Sequence, residues 1–289
     1  MKLINSPVEL NSPIQETAQG IDAGAVVRWH EFGSLLYERG MFRDKLNGWT
    51  HCRTYGRYGS TNIECAPLLR LGYEIKVERW RCDIQQVDGF AASKSELKEF
   101  ATMDEMVETN SLEMIDEISP AKLAKNLAWD EIRIISRVDH DYFASWGWDG
   151  RVFLMNSGGS HHFAAAKYIA ARLHQPVELT GTYKVFGLSE RAITELRREY
   201  GMFVLSHDPD AWLGFNEAMA RFKATYYWKT LPRPHNHHRC AIFLPLKEQR
   251  SALVAKVLRD HNFQDLGAYL AGLAAQSLAF INKVGPLTD

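Results

Sequence analysis

The residues best equipped for chemistry fall into three groups. The first is Gly158-Gly159-Ser160-His161-His162, two glycines followed by a hydroxyl and two imidazoles. Successive amides in a glycine turn that opens a helix form an anion site, because the unpaired N–H donors and the positive helix end both attract phosphate. Gly158 and Gly159 permit close approach to the backbone. Ser160 can cap the helix or donate to a phosphate oxygen. His161 and His162 add donors, and an imidazole beside an anion can be cationic. The plainer reading is a chain turn with a helix cap. The second group is Asp139-His140-Asp141, where two carboxylates flank a histidine. Such a set can hold a metal or serve acid/base chemistry, and a polar turn after a strand has the same composition. The third is His235, His237 and His238 with Cys240, between Pro232 and the strand-like AIFLPL. Imidazole and thiolate suit zinc; a basic surface loop is the alternative.

The elements that must position these groups follow from periodicity. Val152–Met155 is a short apolar run of β character, Asn156–Ser160 a glycine loop, and Phe163–Leu173 an alanine-rich helical segment. Leu68–Val87 alternates as a strand, with Ile75, Val77 and Arg79 on one face. Ser93–Phe100 opens with Ser93 and Glu96 in capping-box spacing. Ala121–Asp130 is helical, Glu131–Val138 alternates as a strand, and Asp149-Gly150 is a hairpin-turn dipeptide. His174–Gly187 reads as a strand or a hairpin broken at Gly181, Ser189–Tyr200 as a capped amphipathic helix, and Met202–Leu205 as a strand. Asp210–Tyr227 carries Trp212, Phe215, Met219 and Phe222 on one helical face, a core face and not a cofactor box. From Lys247 onward the chain is helical, and its last helix is apolar nearly all round, suited to a core or a subunit contact. Earlier in the chain, Val26–Phe42 suits one or two helices, and Arg43–Ser60 (with YGRYGS) reads as a loop whose arginines and tyrosines can touch phosphate or a base, or pack at its root.

This irregular mixture points to an α+β fold: a small mixed sheet with helices and helical additions at both ends. The expected layout is an extended arm at residues 1–24, an α+β region at 25–118, and a third region at 119–289. The polar stretch Thr109–Pro120 marks the boundary, unless the whole is one continuous domain. The chain has 289 residues, enough for a core without staples. Hydrophobic residues at 46% and charged residues at 24% are ordinary for a globular protein. A net charge of −1 supplies no bulk attraction to nucleic acid or anionic lipid. No apolar run is long enough to span a membrane, and Met1–Gly20 lacks the apolar core of a signal peptide. A cytoplasmic protein is expected, with Cys52, Cys65, Cys82 and Cys240 reduced and structural.

The segment Gly158–Ala165, GGSHHFAA, resembles the signature of the ParB/sulfiredoxin superfamily. Sulfiredoxins carry Gly-Gly-Cys-His-Arg followed by an aromatic residue and alanines, and ParB-like and free-serine-kinase-like relatives carry Gly-x-(His/Arg)-Arg forms at the same helix start. The preceding strand and the alanine-rich helix agree, so the resemblance spans Asp141–Leu173. It implies a ParB/sulfiredoxin-like core in which Gly158, Gly159, Ser160, His161 and His162 line a pocket for the phosphates of ATP or another nucleotide. Ser160 stands where sulfiredoxins have their cysteine, which excludes sulfinic-acid reduction through this position. His162 stands where the superfamily has arginine, and imidazole lacks the bidentate fork. The rest of the chain is similar to an uncharacterised protein family of bacteria and their phages.

The resulting expectation is a protein that binds a nucleotide or phosphorylated small molecule, extending to phosphoryl transfer or hydrolysis. Ser160, His161 and Asp141 would be the catalytic groups, with Mg²⁺ held by Asp139 and Asp141. A second reading is a catalytically inactive interaction protein of phage or mobile-element origin. It would bind a protein partner or nucleic acid, or self-associate through the C-terminal helix. A third is a metal-dependent nuclease or hydrolase built on the His235–His238 loop.

Overall fold

The structure is a computed structural model and describes residues 10–14, 20–33, 45–52, 56–136 and 141–284. Among the described residues it is mixed α+β, with two five-stranded sheets and nine α-helices. In chain order the first elements are β1 (Lys45–Cys52), β2 (Arg57–Glu64), α1 (Ala66–Leu69), β3 (Gly72–Asp83) and β4 (Gly89–Phe90). Three helices follow, α2 (Met103–Asn110), α3 (Pro120–Leu127) and α4 (Arg133–Ser136), then β5 (Tyr142–Trp146), β6 (Phe153–Met155) and α5 (Ser160–Leu173). The chain continues through β7 (Glu178–Leu188), α6 (Glu190–Glu199), β8 (Tyr200–Ser206), α7 (Pro209–Phe222), β9 (Tyr226–Thr230) and β10 (Arg239–Pro245). It closes with α8 (Gln249–Asp260) and α9 (Leu266–Val284).

These elements form two compact units, each drawn from separated segments. One takes its described residues from within 1–16, 27–73 and 188–276, the other from within 17–26, 74–187 and 277–289. The stretch Thr109–Pro120, the expected boundary, falls inside the second unit. Within 1–24, the described residues include Leu10, Ile14, Ile21 and Ala23, all buried, so these positions are core and not an arm.

The first unit holds the sheet β2-β1-β9-β10-β8, antiparallel throughout. Cys240–Leu244 is buried without interruption, as suits a strand flanked on both sides and covered on both faces. Phe203, Leu205, Phe215, Met219, Tyr226, Ile242 and Leu258 share its core. Two sequence expectations fail here. The stretch 43–60, read as a loop, contains β1 and the start of β2, paired from Lys45↔Glu64 to Cys52↔Arg57. Its aromatic and threonine content favours strand; Gly48 and Gly59 lie in the ladder, and Gly56, with a φ of 63°, is in the turn before β2. Likewise the helix expected over Asp210–Tyr227 stops at Phe222. Lys223 takes a left-handed φ of 54° as its C-cap, and β9 follows.

The second unit holds the sheet β3-β7-β5-β6-β4. β5 runs parallel to β7 and antiparallel to β6, with the Asp149-Gly150 turn between β5 and β6 as expected. In β3 the face changes partway. Val77 is buried, Arg79 is exposed with a φ of 54°, and Cys82 is buried again, so Arg79 does not continue the apolar row. The stretch 131–138, expected as a strand, forms the single turn α4 in its described part, with Ile132 and Ile134 buried. β7 is not interrupted at Gly181; a Cβ there would lie 2.5 Å from Cδ1 of Ile134, so the glycine makes room for that side chain. Ser93 does not begin a capping box either. The turn Leu97–Glu99 is a 3-10 helix that follows Glu96, which makes no side-chain cap bond.

α5 is the central helix of this unit and packs against α2 and α3. Ala164, Ala165, Ala166 and Ala170 are buried, and their small side chains let the neighbouring helices approach. Phe163 and Ile169 fill the core between them, Phe163 meeting Phe90 edge to face at 5.5 Å. That packing fixes the direction in which the start of α5 points.

Candidate functional site

The start of α5 opens into a pocket of about 680 Å³, bounded by Ala92–Ser95, Asn110, Ser111, Glu113, Met114, Trp129, Glu131 and Ser157–His162. All five residues of the glycine motif line it. Gly159 is the N-cap of α5, with φ 70° and ψ 9°, and supplies no side-chain cap bond. A Cβ on Gly159 would lie 2.7 Å from the Glu131 carbonyl oxygen. The glycine therefore allows contact with the chain's own backbone as well as the left-handed conformation. Gly158 is less constrained: its Cβ would meet Cβ of Glu131 at 3.4 Å.

One buried side chain holds the loop in place. Asn156 accepts from the amides of Ala91 and Ala92, at 3.2 and 3.1 Å, and its Nδ2 donates to the carbonyls of Ala92 and Gly158, both at 2.9 Å. Three of these four hydrogen bonds join the two sides of the pocket floor.

Ser160 is the first residue of α5 and not its cap. It is buried, and its hydroxyl donates to Oγ of Ser93 at 2.9 Å. Ser93 in turn accepts from the amide of Ser95 at 3.1 Å. His161 is held at both ring nitrogens: Nδ1 lies 2.5 Å from Oγ of Ser111 and Nε2 lies 3.1 Å from Oγ of Ser95. Burial lowers its pKa below the ordinary imidazole value, Lys94 adds to the effect, and Glu113 opposes it. His161 is therefore neutral at neutral pH.

His162 has a defined tautomer. Asn126 donates through Nδ2 to the carbonyls of Met114 and Lys122, at 3.0 and 3.2 Å, which orients its Oδ1 toward Nδ1 of His162 at 3.0 Å. A carboxamide oxygen only accepts, so Nδ1 carries the proton and Nε2 presents a lone pair. The ring stacks on Trp129 at 4.3 Å and 20°. Burial lowers its pKa as well; Glu131 and Glu113 pull the other way, and His161 and Lys125 add to the lowering. The cationic imidazoles expected beside an anion are thus neutral ones, and Lys94 is the cationic side chain among the lining residues, alongside Glu113 and Glu131.

Asp141 is not among the lining residues. Its Oδ1 accepts from the amide and the hydroxyl of Ser157, at 3.1 and 3.0 Å, so it secures the far side of the loop. Asp139 and His140 lie outside the described residues. In the other unit, His235 is buried and accepts at Nδ1 from Nη1 of Arg239 at 2.8 Å. Burial, with Arg239 adding to it, lowers its pKa to about 4. His237 and His238 are exposed. Among the described residues, no group of three or more His, Cys, Asp or Glu is arranged to hold a metal. The cysteines are free, and burial raises Cys65 to about 11 and Cys82 to about 12, which makes both unreactive thiols.

Ser95, Asn110, Ser111, Asn126 and Trp129 were not singled out by sequence, and Ser93 was singled out only as a helix cap. The serines sit in polar stretches that read as linker and cap, and nothing local marks them as converging. Asn126 and Trp129 fall at the end of α3, where a helix-ending polar and aromatic pair is unremarked.

The fold and the site together define a mixed α+β protein with a polar, imidazole-lined pocket at a glycine-turned helix start. Residues 77–282 match the model of a family described as Family of unknown function (DUF6685), and the chain belongs to that family. No curated protein and no solved structure matches the chain. Among the described residues no helix is long and apolar enough to cross a membrane.

Proposed function

We propose that the pocket at the start of α5 binds a small phosphorylated ligand, with a nucleotide as the class that the GGSHHFAA resemblance implies. The observation that carries this reading is the first turn of α5. A helix of 14 residues begins at a glycine with no side-chain cap, and that turn lines a pocket of about 680 Å³. Unpaired first-turn amides and the positive end of the helix favour an anion there. Lys94 adds a full charge, and the hydroxyls of Ser95 and Ser157 add donors around it. Trp129, 46% exposed and stacked on His162, offers a flat face for a base or other planar group.

Glu113 and Glu131 accept from hydroxyl or amino groups of such a ligand. They are also the carboxylates at hand for a Mg²⁺ ion shared with ligand phosphates, an ion that commonly takes only one or two protein carboxylates. Asp141, expected in that role, is engaged by Ser157.

Thermal unfolding with inorganic phosphate, ATP, CTP and GTP, each with and without Mg²⁺, tests the reading. A ligand that binds only the folded state at about 100 times its Kd raises stability by about 2.7 kcal/mol. A rise is expected with at least one of these ligands, diminished in Lys94→Ala and Trp129→Ala. No rise with any of them overturns it.

A further inference from the structure

Ser95, His161 and Ser111 form a hydrogen-bonded line along the pocket wall, and its chemistry is not that of a simple anion cradle. Asn110 closes one end, its Nδ2 donating to Oγ of Ser95 at 2.8 Å. An amide nitrogen has only hydrogens to give, so Ser95 accepts there and must direct its own hydrogen elsewhere. Nε2 of His161, at 3.1 Å, takes that hydrogen when the ring carries its proton on Nδ1. Nδ1–H then donates to Oγ of Ser111 at 2.5 Å. Ser111 is 1% exposed and fixed in place, whereas Ser95 is half-buried and lines the pocket.

We propose that Ser95 is a catalytic nucleophile, that His161 is its general base through Nε2, and that Ser111 is the positioning residue that holds the Nδ1–H form. The substrate class is carboxylic esters small enough to enter the pocket. A nucleophile, a base and a group that orients the base are the parts that acyl transfer requires. Phosphoryl transfer through a loose transition state gains much less from deprotonating the nucleophile. This inference adds an activity to the binding reading and does not depend on a phosphate ligand.

The chemistry balances in two steps. Oγ of Ser95 attacks the ester carbonyl carbon while its proton passes to Nε2 of His161. The carbonyl oxygen becomes an oxyanion, for which the uncapped first-turn amides of α5 are the donors at hand. The C–O bond to the alcohol breaks, the leaving oxygen takes the proton from His161, and an acyl-Ser95 ester remains. Water then attacks that ester, giving its proton to His161. The C–Oγ bond breaks, and Oγ recovers the proton. One ester and one water yield one acid and one alcohol.

Burial keeps His161 in its basic, neutral form at neutral pH; of the charged and titratable groups around it, Lys94 acts in the same direction and Glu113 against. The test is labelling of the full chain with an alkyl fluorophosphonate, which loses fluoride as it bonds to an activated serine oxygen, followed by peptide mass spectrometry. One adduct on Ser95 is expected, none in Ser95→Ala, and labelling slowed at least about 100-fold in His161→Gln. Ser111→Ala is expected to slow labelling and move the acid limb of its pH profile, since the base loses its orienting partner. Circular dichroism checks that each variant is folded. Should His161→Gln unfold, the unmodified chain serves: its labelling rate falls on the acid side, at a pH below that of an ordinary imidazole, as His161 takes a proton. No adduct on Ser95, a folded His161→Gln that labels at the original rate, or a labelling rate with no acid limb while the chain stays folded overturns the proposal. A Ser95 adduct in a protein that binds no phosphate leaves this inference standing while the binding reading falls.

Discussion

At the scale of single residues, His162 is the chemical group whose state is best determined. Asn126 sets its tautomer and Trp129 sets its plane, so its Nε2 lone pair is held at the pocket wall. Asn126 is 2% exposed and has all its bonds inside the protein. Asn126→Ala removes the acceptor of the His162 proton and the side-chain donor to the carbonyls of Met114 and Lys122, and leaving a buried polar group unsatisfied costs roughly 1–3 kcal/mol. Denaturant unfolding should show a loss in that range. Ligand affinity should fall as well, because the imidazole is free to turn; unchanged affinity in a folded Asn126→Ala would reduce Asn126 to a purely structural role. His161 and His162 were legible in the sequence as adjacent imidazoles at a helix start. Their neutrality was not, because burial and the partners at each nitrogen come from α2, α3 and the loop at Ser95.

At the scale of elements, the turn into α5 and its attachment to the loop at Ala91-Ala92 decide whether the pocket exists. The two glycines of the turn should behave differently. Gly159→Ala faces both a φ of 70° and a backbone carbonyl 2.7 Å from its Cβ. Backbone strain of this kind costs roughly 1–3 kcal/mol before the clash is added. Gly158→Ala meets only a side-chain carbon at 3.4 Å, and its effect should stay within about 1 kcal/mol. Thermal unfolding of the two variants separates them, and equal losses would show that the turn is not shaped as described. Asn156→Ala removes four hydrogen bonds, three of them to Ala91 and Ala92 across the pocket floor and one to Gly158 in its own loop. It should lower stability by about 2 kcal/mol or more, the range for breaking a buried network. It should also raise the hydrogen exchange of the Ala92 amide, which loses its acceptor, more than that of Ala91, whose amide keeps the Leu154 carbonyl at 3.1 Å.

At the scale of the whole molecule, buried neutral histidines make folding sensitive to acid. His30 is lowered to about 3, by burial and by Arg28, and His235 to about 4. An unfolded histidine takes its proton near pH 6.5. Between the folded and unfolded values the unfolded chain binds more protons, so acid favours unfolding. The stability these residues contribute is complete above about pH 6.5 and is lost as pH falls toward about 4 for His235 and about 3 for His30. Denaturant titrations at a series of pH values should show this decline. His235→Gln should flatten the part of it between about pH 6.5 and about pH 4, and an unchanged slope would show that His235 is not buried in its neutral form.

The sequence by itself determined the strand, glycine turn and helix of Val152–Leu173, the Asp149-Gly150 hairpin, the capped helix after Ser189, and the mixed α+β class. All of these follow from local periodicity, caps and turn chemistry, which act over a few residues. It also placed the glycine motif at a helix start, and the pocket lies there. Tertiary structure alone decided the rest. The stretches 43–60 and 131–138 were misread because pairing with β9 and burial of Ile132 and Ile134 overrode their local appearance. Asp141 faces Ser157 and not the pocket, a matter of where β5 begins relative to the loop after β6. Ser95, Ser111 and Asn126 meet the two histidines across 36 to 66 positions of chain only because the alanines of α5 let α2 and α3 pack close to it. Hydrogen bonds over such separations depend on packing, and packing is not written in the spacing of any one segment.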